Sequence, residues 1–312
     1  MTNNLNIVVT DGRALNPGDL DWNAWKEFGD ITVYDHLPEE EVVSKCRNAE
    51  VLVVNKTKLT KDILRKLPEL KFIAVTATGV NNIDLDYCQK NNIEVKNTPG
   101  YGTYCVAQHA IALLLAITNK VAGHDLSVRR NEWASQSDFS YTIGSVIELK
   151  DKTLGIYGYG NIGQRTAKIG ESLGMKVIYH SRSKKETNHE FVSFEKLISQ
   201  SDIISLHAPL TDQNKECFDN STFEKMKDSA ILINTSRGGL INEQDLKIAL
   251  EKGDISGAAL DVLQNEPPQI DHPLLELDNI IITPHMAWAA YESRKRIMEM
   301  SIENLKTYLS SK

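Results

Sequence analysis

Thr153-Leu-Gly-Ile-Tyr157-Gly158-Tyr-Gly160-Asn161-Ile162-Gly163 joins a short apolar run to a GxGxxG set of glycines, and it passes straight into a helical pattern that reaches Leu173. The glycine spacing alone is compatible with a strand-to-helix turn that binds nothing. Set between a strand and a helix, it reads as the phosphate-binding turn of a dinucleotide fold. Gly158 allows the tight turn, Gly160 lets the backbone approach a pyrophosphate, and Gly163 lets the helix pack closely on the strand. The amides of Asn161 and Ile162, at the positive helix end, are the expected phosphate donors.

Outward from this stretch, β-branched runs alternate with longer amphipathic ones, the pattern of βαβ units in a parallel sheet. The fold class is therefore α/β. From the fingerprint onward the strand candidates are Thr153–Tyr157, Lys176–Tyr179, Ile203–Leu206, Ala230–Asn234, Gly257–Asp261 and Ile280–Thr283, enough for a six-stranded dinucleotide sheet. Before it stand Ile7–Thr10, Ile31–Tyr34, Val51–Val54, Phe72–Thr76 and Ile93–Val95. Between the two series, Asn97-Thr-Pro-Gly-Tyr-Gly-Thr reads as a loop, followed by one long helix from about Thr103 to Arg130. A last amphipathic helix, Tyr291–Leu309, has no strand left to serve in the second series and is expected to pack on the first. Residues 1–100 and 287–312 then form one domain, and 101–286 a second inserted into it.

A length of 312 residues, with 41% hydrophobic and 25% charged, suits two ordinary globular domains. With 35 basic against 42 acidic residues the net charge is −7, which gives no electrostatic footprint for nucleic acid or acidic lipid. The start, MTNNLNIVVTDGR, lacks the basic flank and long apolar core of a signal peptide, and AIALLLAI is under half a membrane span. A cytoplasmic protein with no membrane or nucleic-acid partner is expected. Cys46, Cys88, Cys105 and Cys217 show no CxxC spacing, so they read as reduced, mostly buried thiols, and no metal site is expected.

Three late segments carry chemistry. Asn234-Thr235-Ser236-Arg237-Gly-Gly follows a strand end, where open α/β sheets place ligands; Arg237 offers a permanently charged fork for a carboxylate and a keto oxygen. His285 follows the last strand and is the natural proton donor. Glu266, in a loop before two prolines, could accept the second imidazole N–H and keep that donor charged; on its own it would read as a plain loop carboxylate. Asp261, ending its strand, is placed for the nicotinamide carboxamide or ribose. His207-Ala208-Pro209 also follows a strand and should line the cofactor cleft, whereas His109, within a helix, reads as structural.

The residue that ends the strand after the fingerprint is an acid in most NAD sites, where it binds the ribose hydroxyls. Here it is His180, followed by Ser181-Arg182-Ser183-Lys184-Lys185. No carboxylate repels a 2'-phosphate, and a guanidinium is present to pair with one. NADP(H) is therefore favoured over NAD(H); the alternative is a solvated basic turn.

The fingerprint, NTSRGG, DVLQNEP and TPHMAWA, in this order, resemble the D-isomer specific 2-hydroxyacid dehydrogenase family over essentially the whole chain. The resemblance implies a doubly wound cofactor domain inserted into a smaller, flavodoxin-like substrate domain. It implies catalytic roles for Arg237, Glu266 and His285, a substrate-carboxylate loop at Thr78-Gly79-Val80, and a homodimer formed through the cofactor domain and its long helix. Gly12–Leu20, Ala77–Asp84, Asn97–Thr103, Val106–His109, Ser137–Tyr141 and His285–Trp288 resemble the glycerate dehydrogenases, also called hydroxypyruvate reductases. These reduce hydroxypyruvate to D-glycerate, with glyoxylate to glycolate as a side activity. Asn55, Lys56 or Asn81 could meet the C3 hydroxyl. The departure is at His180, since glycerate dehydrogenases commonly resemble NADH enzymes. Two rival expectations are a broader D-2-hydroxyacid dehydrogenase and a corepressor that uses the dinucleotide as a ligand. Such corepressors usually carry extra tails, and only Ser310, Ser311 and Lys312 follow the last helix.

Overall fold

A computed structural model of the chain describes residues 4–311. They form two compact units: one from the start of the chain to Gly102 together with the segment from Ala289, the other Thr103–Trp288.

In the first unit the strands are β1 (Leu5–Val9), β2 (Gly29–Val33), β3 (Val51–Val54), β4 (Phe72–Val75) and β5 (Glu94–Lys96). All pair in parallel, in the order β2-β1-β3-β4-β5, the flavodoxin arrangement. Val51-Leu-Val-Val and Phe72-Ile-Ala-Val are buried along their whole length, because helices cover both faces of a parallel sheet. Each of the valine, leucine, isoleucine and phenylalanine side chains contributes about 1.5–3 kcal/mol by leaving water. The final helix, Tyr291–Ser310, belongs to this unit. Its Met298 Sδ accepts the indole N–H of Trp25 at 3.1 Å, and its Arg294, 7% exposed, makes two 2.6 Å bonds to the Asp19 carboxylate.

The second unit contains β6 (Thr153–Tyr157), β7 (Lys176–His180), β8 (Glu190–Phe191), β9 (Ile203–Leu206), β10 (Ile231–Asn234), β11 (Gly257–Leu260) and β12 (Ile280–Ile282). They make one parallel sheet ordered β12-β11-β10-β9-β6-β7-β8, the doubly wound dinucleotide order with a further strand at the β12 edge. The sheet thus has seven strands rather than the six expected. The strand the sequence did not announce is β8, two exposed residues on the opposite edge, beside β7, too short to carry a periodic signal.

The expected long helix is two helices, Thr103–Asn119 and Val121–Arg129. They meet at a 55° bend where Lys120 adopts a left-handed backbone, φ +52°. No single helix among the described residues is long and apolar enough to cross a membrane. The four cysteines are free thiols; Cys46 and Cys88 are buried, Cys105 and Cys217 half-buried. Burial pushes Cys46 and Cys88 up to about 11, so both remain protonated at neutral pH.

Candidate active site

Because the strands of the larger sheet are parallel, their carboxyl ends share one edge. Gly158, Ser181, His207, Thr235, Asp261 and His285 all lie on it, each just beyond a strand. The chain order reverses between β6 and β9, where open α/β sheets form a ligand crevice. Across that switch point Gly158, φ +97°, packs so closely that a Cβ would lie 2.4 Å from the Ala208 nitrogen and 2.6 Å from the His207 carbonyl carbon. Only glycine fits. A Cβ on Gly163 would lie 2.2 Å from the Gly158 oxygen, whereas one placed on Gly160 would meet no described residue beyond its chain neighbours within 4 Å.

The helix Asn161–Ser172 has no side-chain cap, and the N–H groups of Asn161 and Ile162 donate to nothing among the described residues. The His207 residue keeps some exposure, but its Nδ1 is enclosed and has no partner; the buried Thr235 Oγ1 is likewise unpartnered. Burial pushes the His207 imidazole down to about 3, leaving it neutral, with Nε2 bonded to Ser205 Oγ at 2.9 Å. Half-exposed Ser236 and exposed Pro209 flank these groups on the same edge. Free amides just after an open glycine, and orphaned polar atoms across the crevice, fit a dinucleotide.

Beyond β10, the buried Asn234 shapes the next turn. Its Oδ1 accepts the Ser236 N–H and Oγ–H at 2.9 and 3.0 Å, and its Nδ2 donates to the Arg237 carbonyl at 2.9 Å. Exposed Arg237 uses one N–H on the Ser236 carbonyl, at 2.7 Å. Gly238 follows, where a Cβ would lie 2.0 Å from the Leu263 carbonyl carbon. This close approach brings the arginine turn against the loop that carries Glu266.

Glu266 and His285 meet. His285 Nδ1 lies 2.6 Å from Glu266 Oε2, and Glu266 Oε1 accepts the Leu263 N–H at 3.1 Å. The two side chains are 27% and 34% exposed, so the pair is open to a ligand. His285 sits at φ +52°, a conformation that costs a non-glycine residue on the order of 1 kcal/mol. Its N–H bonds both the Asp261 and Thr283 carbonyls, at 2.8 and 2.9 Å.

The Asp261 side chain completes this support. One carboxylate oxygen takes the Thr283 hydroxyl at 2.6 Å and the Met286 N–H at 2.9 Å; the other takes the Ala287 N–H at 2.8 Å. His109 Nε2 bonds Thr283 Oγ1 at 3.0 Å and lies 3.4 Å from Asp261. Burial acts to raise the Asp261 carboxyl, but the hydrogen bonds from His109, Thr283 and the Ala287 and Met286 amides hold it below the usual carboxylate range. Asp261, expected from the sequence to meet the nicotinamide carboxamide or ribose, is buried, and its carboxylate holds the turn that presents His285.

His180 also turns inward. Its Nδ1 donates to the Val192 carbonyl at 3.0 Å and its ring stacks on Tyr157, 5.8 Å between centroids. Ser181 Oγ closes the following turn on the Ser183 carbonyl at 2.7 Å. Arg182 is exposed and makes no hydrogen bond or ion pair among the described residues.

In the smaller unit, Thr78, Gly79 and Val80 follow β4, and their N–H groups donate to nothing among the described residues. Such a run of free amides suits an anion. The neighbouring Asn55–Thr57 turn is held by the buried Asp11 carboxylate, which accepts the backbone N–H groups of Asn55, Lys56 and Thr57 at 2.8, 2.5 and 2.9 Å. Asn55 is committed to Thr76, through its carbonyl at 2.8 Å and its hydroxyl at 3.1 Å. Lys56 and Asn81 are exposed. Sequence reasoning missed Thr283, Tyr159 and His189, since nothing in their spacing distinguishes them.

Residues 111–287 match the family model of the D-isomer specific 2-hydroxyacid dehydrogenase NAD-binding domain. The chain is 43% identical to a hydroxypyruvate reductase of Blautia hydrogenotrophica, covering 98% of this chain and 97% of that protein. It is 38% identical to a glycerate dehydrogenase of Methylorubrum extorquens, covering 98% and 96%. Among solved structures, an acyclic imino acid reductase in complex with NADPH and D-Arg superposes with a TM-score of 0.86 at 34% identity, covering 99% and 98%. A doubly wound sheet whose carboxyl edge presents this glycine turn, and sequence likeness that runs almost from end to end, lead to one assignment: the chain belongs to the D-isomer specific 2-hydroxyacid dehydrogenase family.

Proposed function

We propose that this protein reduces hydroxypyruvate to D-glycerate, and glyoxylate to glycolate, with NADPH favoured over NADH. The observation that carries the reading is the His285–Glu266 pair at 2.6 Å, open to solvent on the same sheet edge as the glycine turn and Arg237. The bound nicotinamide supplies the hydride. His285 gives its proton to the keto oxygen as C2 is reduced, and Glu266 orients the ring and balances the charge of its protonated form. Arg237 holds the substrate carboxylate and keto oxygen. The free amides of Thr78, Gly79 and Val80 are assigned to carboxylate recognition, and the unpaired Arg182 to the 2'-phosphate. Steady-state kinetics with hydroxypyruvate, glyoxylate, pyruvate and 2-ketoisocaproate against both cofactors test this directly. The highest kcat/KM is expected for hydroxypyruvate with NADPH; a clear preference for NADH, or for 2-ketoisocaproate, would refute the corresponding half.

The same reading makes the protein a cytoplasmic homodimer. Val121, Leu126, Val128, Trp133 and Phe139 stand exposed on and after the helix Val121–Arg129, Phe139 at 90%, an apolar stretch that association would cover. Light scattering should give twice the 34.9 kDa chain mass, and Phe139→Glu should shift the mass toward the monomer. A monomeric native protein would contradict it.

A further inference from the structure

The basic turn after β7 is tied to the fingerprint at both ends. At its start the Gly158 N–H donates to the His180 carbonyl at 2.8 Å. At its far end Lys185 is held through its backbone: its N–H donates to Tyr179 Oη at 2.9 Å, and its carbonyl lies 3.2 Å from the same hydroxyl. Tyr179 in turn stacks on Tyr159, 4.0 Å between centroids. Tyr159 is the residue between Gly158 and Gly160, and it is 3% exposed. Its hydroxyl bonds His189 Nδ1 and lies 3.2 Å from Thr187 Oγ1. The other ring nitrogen of His189 lies 2.9 Å from Glu171 Oε1, on the helix that opens at Asn161. The directions agree: the phenol donates to Nδ1, and Nε2–H donates to the carboxylate. Burial raises the Tyr159 hydroxyl, which keeps it a donor.

The segment that returns from the basic turn is therefore anchored on the glycine turn and its helix, while Arg182, Lys184 and Lys185 keep exposed side chains without partners among the described residues. We propose that Tyr159, His189 and Glu171 form a clamp that positions the basic turn Ser181–Lys185 and thereby sets the preference for the 2'-phosphorylated cofactor, without touching that cofactor. The proposal rests on the NADPH reading above. A loop already ordered before binding spares the entropy of ordering it afterwards, and only the cofactor that uses the turn gains from this. NADH, which lacks the phosphate, should be indifferent to the clamp.

Calorimetric titration of the full chain with NADPH and with NADH tests it, using wild type, H189A, H189Q and R182A. In H189A the Kd for NADPH should rise about tenfold, the cost of ordering a few long side chains on binding, while that for NADH changes less than about twofold. H189Q, whose amide can still accept from Tyr159 and donate to Glu171, should keep most of the preference. Amide hydrogen exchange over residues 181–189 should quicken in H189A. Equal weakening toward both cofactors, or an unchanged ratio, would overturn the clamp even where R182A abolishes the preference. If wild type binds NADH as tightly as NADPH, or R182A leaves the ratio unchanged, it is the NADPH reading that fails, and the clamp falls with it.

Discussion

Replacing His285 with alanine should lower kcat for hydroxypyruvate roughly 10³-fold, the usual scale for losing a general acid, with NADPH affinity little changed. The size follows from how much of the local structure serves this one ring. Its Nδ1 is fixed by Glu266, whose second oxygen is fixed in turn by the Leu263 amide, leaving Nε2 as the nitrogen that can deliver a proton. The backbone beneath is held at φ +52° by bonds from the His285 N–H to Asp261 and Thr283, and the Asp261 carboxylate gathers the next two amides. None of these groups lies on the fingerprint turn, so cofactor binding should survive. Single-turnover kinetics and a parallel NADPH titration separate the two effects, and near-normal turnover in the variant would remove His285 from the proton transfer.

Arg237→Lys should cost about 10²-fold in kcat/KM for the keto acid, comparable with removing one donor from an oxyanion site. One guanidinium N–H is already bonded to the Ser236 carbonyl, which orients the group and leaves the rest of its donors to a ligand. A lysine ammonium cannot keep that anchor and also bridge a carboxylate and a keto oxygen side by side. The turn itself should persist, since Asn234 builds it from backbone and Ser236 contacts. The melting temperature is therefore expected to hold while kcat/KM falls, and an unchanged kcat/KM would refute the role.

What the sequence made legible follows from what leaves a periodic or positional trace. Buried parallel strands are unbroken apolar runs such as Ile231-Leu-Ile and Val51-Leu-Val-Val, so both sheets could be read. Arg237, Glu266 and His285 stand in short segments beyond such strands, so their shared edge could be anticipated. The two-residue strand β8 carries no alternation, and the break at Lys120 depends on a left-handed backbone that no neighbouring glycine or proline announces. Asp261 and His180 were located correctly at strand ends, but side-chain direction is set by tertiary partners. Thr283 and the Met286 and Ala287 amides draw Asp261 inward, and Tyr157 with the Val192 carbonyl draws His180 away. Tyr159 and His189 are thirty residues apart, and only the fold brings their side chains together.

The most direct test is to incubate the purified protein with hydroxypyruvate and NADPH, follow the loss of reduced nicotinamide, and determine the configuration of the glycerate formed. Stoichiometric oxidation of NADPH with D-glycerate as the product is the predicted result. L-glycerate, or no cofactor oxidation with hydroxypyruvate, would contradict it.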